Sequence, residues 1–139
     1  VNGKPESVYH IKYAYSADGL DWHRDNLSCI HPLKPNEANA RPTVIEERGT
    51  FKMWFCYRGN EDFRDGIDSY RIGYAEASAA QPTVWRRNDR QAGITCGPED
   101  FDDKMQAYPA VIDVGSKRYL FYNGNGFGVN GMCCAVWND

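Results

Sequence analysis

Basic residues gather nowhere in this chain: 16 lysines and arginines are scattered among 19 acidic residues, for a net charge of −3. Without a basic stripe it carries no electrostatic footprint for nucleic acid, and sugars or other neutral ligands suit the balance better. Histidine is scarce, and His10, His23 and His31 stand apart with no ligand-like grouping. The five cysteines, Cys29, Cys56, Cys96, Cys133 and Cys134, contain no Cys-x-x-Cys spacing, so no metal and no cofactor is expected. An odd set of thiols argues against a full disulfide framework and suits reduced cysteines in a cytoplasm. No apolar run approaches the roughly 20 residues of a spanning helix, so no membrane partner is expected. Residues 1–5 do not read as a signal peptide. The first residue is Val1 instead of Met, which reads as processing, trimming, or the tail of something longer.

What is present points to strands. An apolar fraction of 42% with 14% aromatics is too rich for disorder, and 139 residues suffice for one domain with a real core. The abundance of Tyr, Trp, Val and Ile makes the chain all-β. Residues 8–15 form an aromatic and β-branched run that stops at Ser16-Ala17-Asp18-Gly19, a turn composition. Residues 20–24 return as a short strand, completing a hairpin. Residues 25–39, interrupted by Pro32 and Pro35, read as a loop. Four strands are then expected at 42–46, 51–57, 70–76 and 83–87, and three more at 107–112, 119–122 and 132–136. The recurrent Trp22, Trp54 and Trp85 read as core, and Asp18 and Asp21 as turn residues.

The strands repeat. Pro42 and Pro109 stand 67 residues apart, as do Met53 and Leu120, and Phe55 and Tyr122; Tyr9 and Tyr70 stand 61 apart, as do Ile11 and Ile72. A period of this size with four short strands per unit is the pattern of antiparallel β-propeller blades. Residues 1–139 then form a single partial propeller domain of about two and a quarter blades: a half blade at 8–24, a complete blade at 40–87 and an incomplete one at 107–137. The long, charged or Gly/Asn-rich segments, 25–39, 58–69, 88–106 and 123–130, all fall at one end of such sheets. A rigid scaffold with one elaborated loop face is the usual way to present a site.

Several strings together carry a family likeness: Tyr9-His10-Ile11-Lys12-Tyr13-Ala14, Ser16-Ala17-Asp18-Gly19 with Trp22, Arg41-Pro42-Thr43-Val44, Met53-Trp54-Phe55, Tyr70-Arg71-Ile72-Gly73-Tyr74-Ala75, Tyr108-Pro109-Ala110-Val111 and Tyr122-Asn123-Gly124-Asn125-Gly126. In their shared order they resemble the C-terminal part of five-bladed β-propeller, glycosyl hydrolase-like proteins related to arabinanases, levansucrases and invertases. The resemblance implies a carbohydrate-facing funnel and a carboxylate pair that cleaves the glycosidic bond. A five-bladed enzyme needs roughly 250 to 300 residues, so this chain supplies about half. Invertase-like members carry Arg-Asp-Pro where this chain reads Ala40-Arg41-Pro42, and Lys104 stands where the group tends to have an acid.

Glu37 and Asp102 are the candidate catalytic acids, because each precedes an expected innermost strand on the loop-rich face; the alternative is that both are solvated loop acids. Candidate ligand-binding residues are Arg41, Arg58, Arg71, Tyr108, Asn123 and Asn125. Arg41 either forks onto a carboxylate or sugar hydroxyls, or ties a loop acid to its blade. Tyr108 either stacks on a sugar ring or packs. Asn123 and Asn125 are either sugar-binding amides or parts of a loop that needs positive φ. The sequence therefore suggests a carbohydrate-binding or catalytically incomplete protein; the alternative is an active glycosidase whose site is formed by oligomerisation from loop-face carboxylates. Exposed sheet edges at both ends favour association into a homodimer.

Overall fold

The computed structural model describes residues 6–64, 66–98 and 100–137; residues 1–5, where a signal peptide was sought, lie outside them. The protein is mostly β. Strands β1 (Ala38–Glu47), β2 (Thr50–Arg58), β3 (Arg71–Ser78) and β4 (Arg86–Arg87) form one antiparallel sheet in the order β1-β2-β3-β4. Strands β5 (Ala107–Val114), β6 (Lys117–Asn123) and β7 (Met132–Val136) form a second, in the order β5-β6-β7. No described helix is long and apolar enough to cross a membrane.

The two sheets repeat one register. Ala40 pairs with Cys56, Thr43 with Trp54 and Met53 with Ala75; in the second sheet Ala107 pairs with Asn123, Ala110 with Phe121 and Leu120 with Ala135. Each first strand breaks its ladder at the same place, between Ala40 and Thr43 and between Ala107 and Ala110. The cause lies in Pro42 and Pro109, which have no amide hydrogen to give to a ladder, so the strand bulges around them.

Aromatic and aliphatic side chains explain the layering. Along β2, successive side chains point to opposite faces, yet Met53, Trp54, Phe55 and Cys56 are all buried, because the strand is covered on both sides. Trp54 joins Ile72, Tyr74, Val111, Leu120 and Tyr122 in the core between the sheets. Met53 and Phe55 pack the other way, with Ala75, against Ile11, Cys29 and Ile30 of the N-terminal segment. The first strands of the two sheets, β1 and β5, are stapled by the Thr43 hydroxyl, which accepts from Val111 N–H at 3.2 Å and donates to the Val111 carbonyl at 3.5 Å.

Four local expectations are corrected. Residues 8–15 are not a regular strand: the segment makes only two isolated antiparallel bridges, Lys12 with Ser28 and Tyr15 with His23. The amide of Ile11 bonds instead to the Asn39 side chain at 2.8 Å, and Asn39 N–H bonds to the Tyr9 carbonyl at 2.9 Å, so a side chain replaces a ladder rung. The supposed loop at 25–39 consequently ends early, with β1 starting at Ala38, while the expected strand at 83–87 shrinks to Arg86–Arg87. Trp22 is not core but 57% exposed, its indole N–H capping the Gly19 carbonyl at 3.3 Å. Asp18 does act as a turn residue: its carboxylate accepts from the amides of Leu20 and Asp21 and from the Ser16 hydroxyl, and these bonds, the Asp21 amide first, lower its pKa to about 2.

Candidate functional site

The register places the start of β1, the end of β2, the start of β3 and the end of β4 at one end of the first sheet, and the corresponding ends of β5, β6 and β7 share it. The two sheets meet there through the Gln106 N–H bond to the Tyr70 carbonyl at 3.0 Å and the Arg71 guanidinium bond to the Lys104 carbonyl at 2.5 Å. The long segments 59–70, 88–106 and 124–131 therefore crowd one end, and the tight turns occupy the other.

At this end the two bulges bring two candidate residues together. Arg41 and Tyr108, each just before its proline, have left-handed backbones with φ of 55° and 57°. Such conformations cost an L-residue free energy and persist only where the surroundings enforce them; they are concentrated at ligand sites. The Arg41 guanidinium lies over the Tyr108 ring, 5.2 Å from its centroid. Tyr108 in turn stacks on Phe127 with centroids 6.1 Å apart and tilts against Tyr70 at 6.0 Å, while Phe127 meets Tyr70 edge-on. Burial, then the proximity of Cys56 and Tyr9, holds the Tyr108 phenol above its ordinary pKa, with Arg41 opposing, so its hydroxyl keeps its proton at neutral pH. Arg41 is exposed and Tyr108 is 36% exposed, so the pair forms an open platform on buried Tyr70 and half-buried Phe127.

The other candidate arginines are committed to the fold. Arg58 does not reach solvent: it is buried, stacked 3.8 Å from the centroid of Phe63, and bonded to the Ser7 and Gly59 carbonyls at 2.7 and 2.8 Å. Its Nε–H reaches the Tyr9 hydroxyl at 3.3 Å, and that hydroxyl bonds to Tyr70 Oη beneath the platform. Arg71 uses Nη1 on the carbonyls of Ser69, Tyr70 and Lys104.

Neither acid is a solvated loop residue. Glu37 is 1% exposed: Arg87 Nη1–H donates to Oε1 at 2.5 Å and the Leu33 amide to Oε2 at 3.4 Å. Arg87 also forks onto Asp89, at 3.0 Å from Nε to Oδ1 and 2.8 Å from Nη2 to Oδ2, and lies over the Tyr57 and Phe55 rings. Asp102 is 5% exposed, with Oδ2 accepting from Gln106 Nε2 at 2.7 Å and from the Tyr122 hydroxyl at 2.8 Å. The two acids thus sit in separate bonded networks, one closing the first sheet and the other the second.

Asn125 is a brace. Its Oδ1 accepts from the amides of Lys104 and Met105, and its Nδ2 donates to the Asp100 carbonyl and the Asp103 carboxylate. Asn123 donates to the Phe127 carbonyl at 3.1 Å, which holds Phe127 under Tyr108. Gly126, Phe127 and Gly128 have positive φ in this loop, as its composition implies. Gly124 is required for close approach: a Cβ there would lie 2.1 Å from the Phe101 carbonyl oxygen. Asn125, Gly124 and Tyr122 also line an open cleft of about 370 Å³ with Cys133 and Met132. Among the described residues no three His, Cys, Asp or Glu side chains gather as a metal site.

Phe127, Arg87 and Asp89 were missed by sequence reasoning. Phe127 hides in a glycine-rich string, where an aromatic flanked by glycines was the available signal. Arg87 and Asp89 carry none, since their partner Glu37 lies 50 residues away.

No family model matches the chain. Two uncharacterized proteins of Mycobacterium tuberculosis, one from each of two strains, are each 34% identical to it over 135 residues, covering 96% of this chain and 42% of theirs. The chain thus spans about two fifths of the length of the curated relatives it matches.

Proposed function

We propose that this chain is part of a β-propeller, glycosyl hydrolase-like protein and binds carbohydrate at its loop-rich end without cleaving it as a single chain. The observation that carries this reading is the pair of matched bulges, which place Arg41 and Tyr108 side by side on adjacent first strands. An aromatic face with a hydrogen-bonding cation beside it suits a sugar, whose ring offers apolar C–H faces and polar edges. Against catalysis stand the two acids: each is buried and bonded within its own network, so neither is poised to protonate a leaving oxygen or activate water. The repeated register of the two sheets supports the blade reading.

The test pairs binding with turnover. On a glycan array the protein is expected to retain saccharides, and Tyr108→Ala to abolish retention, while chromogenic glycosides stay intact with the wild type. Turnover that disappears in Glu37→Gln or Asp102→Asn would overturn the non-catalytic reading.

Self-association into a homodimer belongs to the same proposal. Strand β7 has a free edge among the described residues, with Met132 and Val136 exposed, and Ile112 and Val114 of β5 are exposed as well. Natural sheets do not leave such edges uncovered. Light scattering at micromolar concentration is expected to report twice the 15.8 kDa chain mass; a stable monomer at that concentration would sink the idea.

A further inference from the structure

We infer that the Arg41–Tyr108 platform is built for a saccharide carrying an anionic group, with the guanidinium taking the anion and the Tyr108 ring taking the sugar face. This inference rests on the carbohydrate reading above and narrows it to a substrate class.

The decisive contrast is among the arginines of this end. Arg87 spends its N–H groups on Glu37, Asp89 and the His31 carbonyl, Arg58 on the Ser7 and Gly59 carbonyls and the Tyr9 hydroxyl, and Arg71 bonds three backbone carbonyls through Nη1. Arg41 makes no ion pair among the described residues, and its contact is the Tyr108 ring beneath it. A cation–π contact at 5.2 Å uses none of the five N–H donors of the guanidinium. That rim matches the two oxygens of a carboxylate in a forked, charge-assisted pair. A neutral sugar can hydrogen-bond to that rim but brings no charge to pair with it.

The surroundings agree. Glu37, the acid nearest in sequence, is neutralised by Arg87, and Asp102 is held by Gln106 and Tyr122, so both of these acids are spent elsewhere. The Tyr108 hydroxyl, protonated at neutral pH, adds a second donor to the platform. Tyr70 and Phe127 fix the ring from below, so the platform is preorganised and little ordering is lost on binding.

The experiment is calorimetric titration of the protein with three sets of oligosaccharides matched in length: neutral, uronate-containing and sulfated. At least one acidic set is expected to bind about tenfold or more tightly than the neutral set, and which one separates a carboxylate from a sulfate as the anion. Arg41→Gln is expected to bring acidic and neutral affinities within about twofold of each other. Arg41 is exposed and Gln is no worse than Arg at positive φ, so folding is preserved and circular dichroism confirms it. Neutral and acidic sets bound equally by the wild type, or an acidic preference that survives Arg41→Gln, overturns this inference and leaves the carbohydrate reading standing. Absence of binding by all three sets overturns both.

Discussion

Replacing Arg87 with methionine lowers the free energy of unfolding by about 3 to 5 kcal/mol, read from urea denaturation. The guanidinium is almost fully buried between Glu37 and Asp89 and lies over the Tyr57 ring, so the methionine keeps most of the volume but loses the charge and the hydrogen bonds to Glu37, Asp89 and the His31 carbonyl. What remains is a Glu37 carboxylate that is 1% exposed with no cation beside it. The cost is that of an uncompensated buried charge, not of the lost attraction alone. Adding Glu37→Gln to Arg87→Met is therefore expected to recover part of the loss. Lysine at 87 recovers less than arginine, because one ammonium cannot fork onto two acids lying on different sides of it. A loss below about 1 kcal/mol, the range of exposed pairs, would show that water reaches this site.

Replacing Trp54 with alanine costs a similar amount, about 3 to 5 kcal/mol, and here the cause is a cavity. Trp54 is 2% exposed between the sheets, edge-on to Tyr74 and Trp137 with centroids 5.0 and 5.6 Å away, and its indole N–H donates to the Ala92 carbonyl at 3.0 Å. Removing it leaves that carbonyl unpaired and separates the two sheets' shared core. The matching control is Trp22→Ala, expected to shift stability by less than about 0.5 kcal/mol because its ring is mostly in water. Equal effects from the two substitutions would contradict the layering described above.

Trp22 and Trp54 also mark where sequence is legible and where it is not. The 67-residue spacing of Pro42 with Pro109 and of Met53 with Leu120 is carried into the structure as one register repeated in two sheets, because spacing along a strand dictates which side chains pair. Strand identity at 51–57 and 119–122 was equally plain, since continuous apolar runs have to be buried. The N-terminal segment misled because Tyr9, Tyr13 and Tyr15 have the composition of a strand, yet its backbone bonds partly to the Asn39 side chain, which no local pattern announces. Glu37 and Asp102 were visible as acids before inner strands. Their burial was not, because it depends on Arg87 for one and on Gln106 and Tyr122 for the other, contacts made by folding. Arg41 and Tyr108 are legible as equivalent positions at the starts of two repeated strands; their meeting requires those strands to lie side by side.

The bulge before each proline has one further consequence. Because Arg41 and Tyr108 adopt the same backbone conformation with chemically unrelated side chains, the geometry is set by the proline and the strand around it, and the residue in front is a free variable. Each unit is a socket that accepts whatever side chain precedes its proline. The side chain presented at that end can therefore change from one unit to the next while the scaffold that presents it stays as it is.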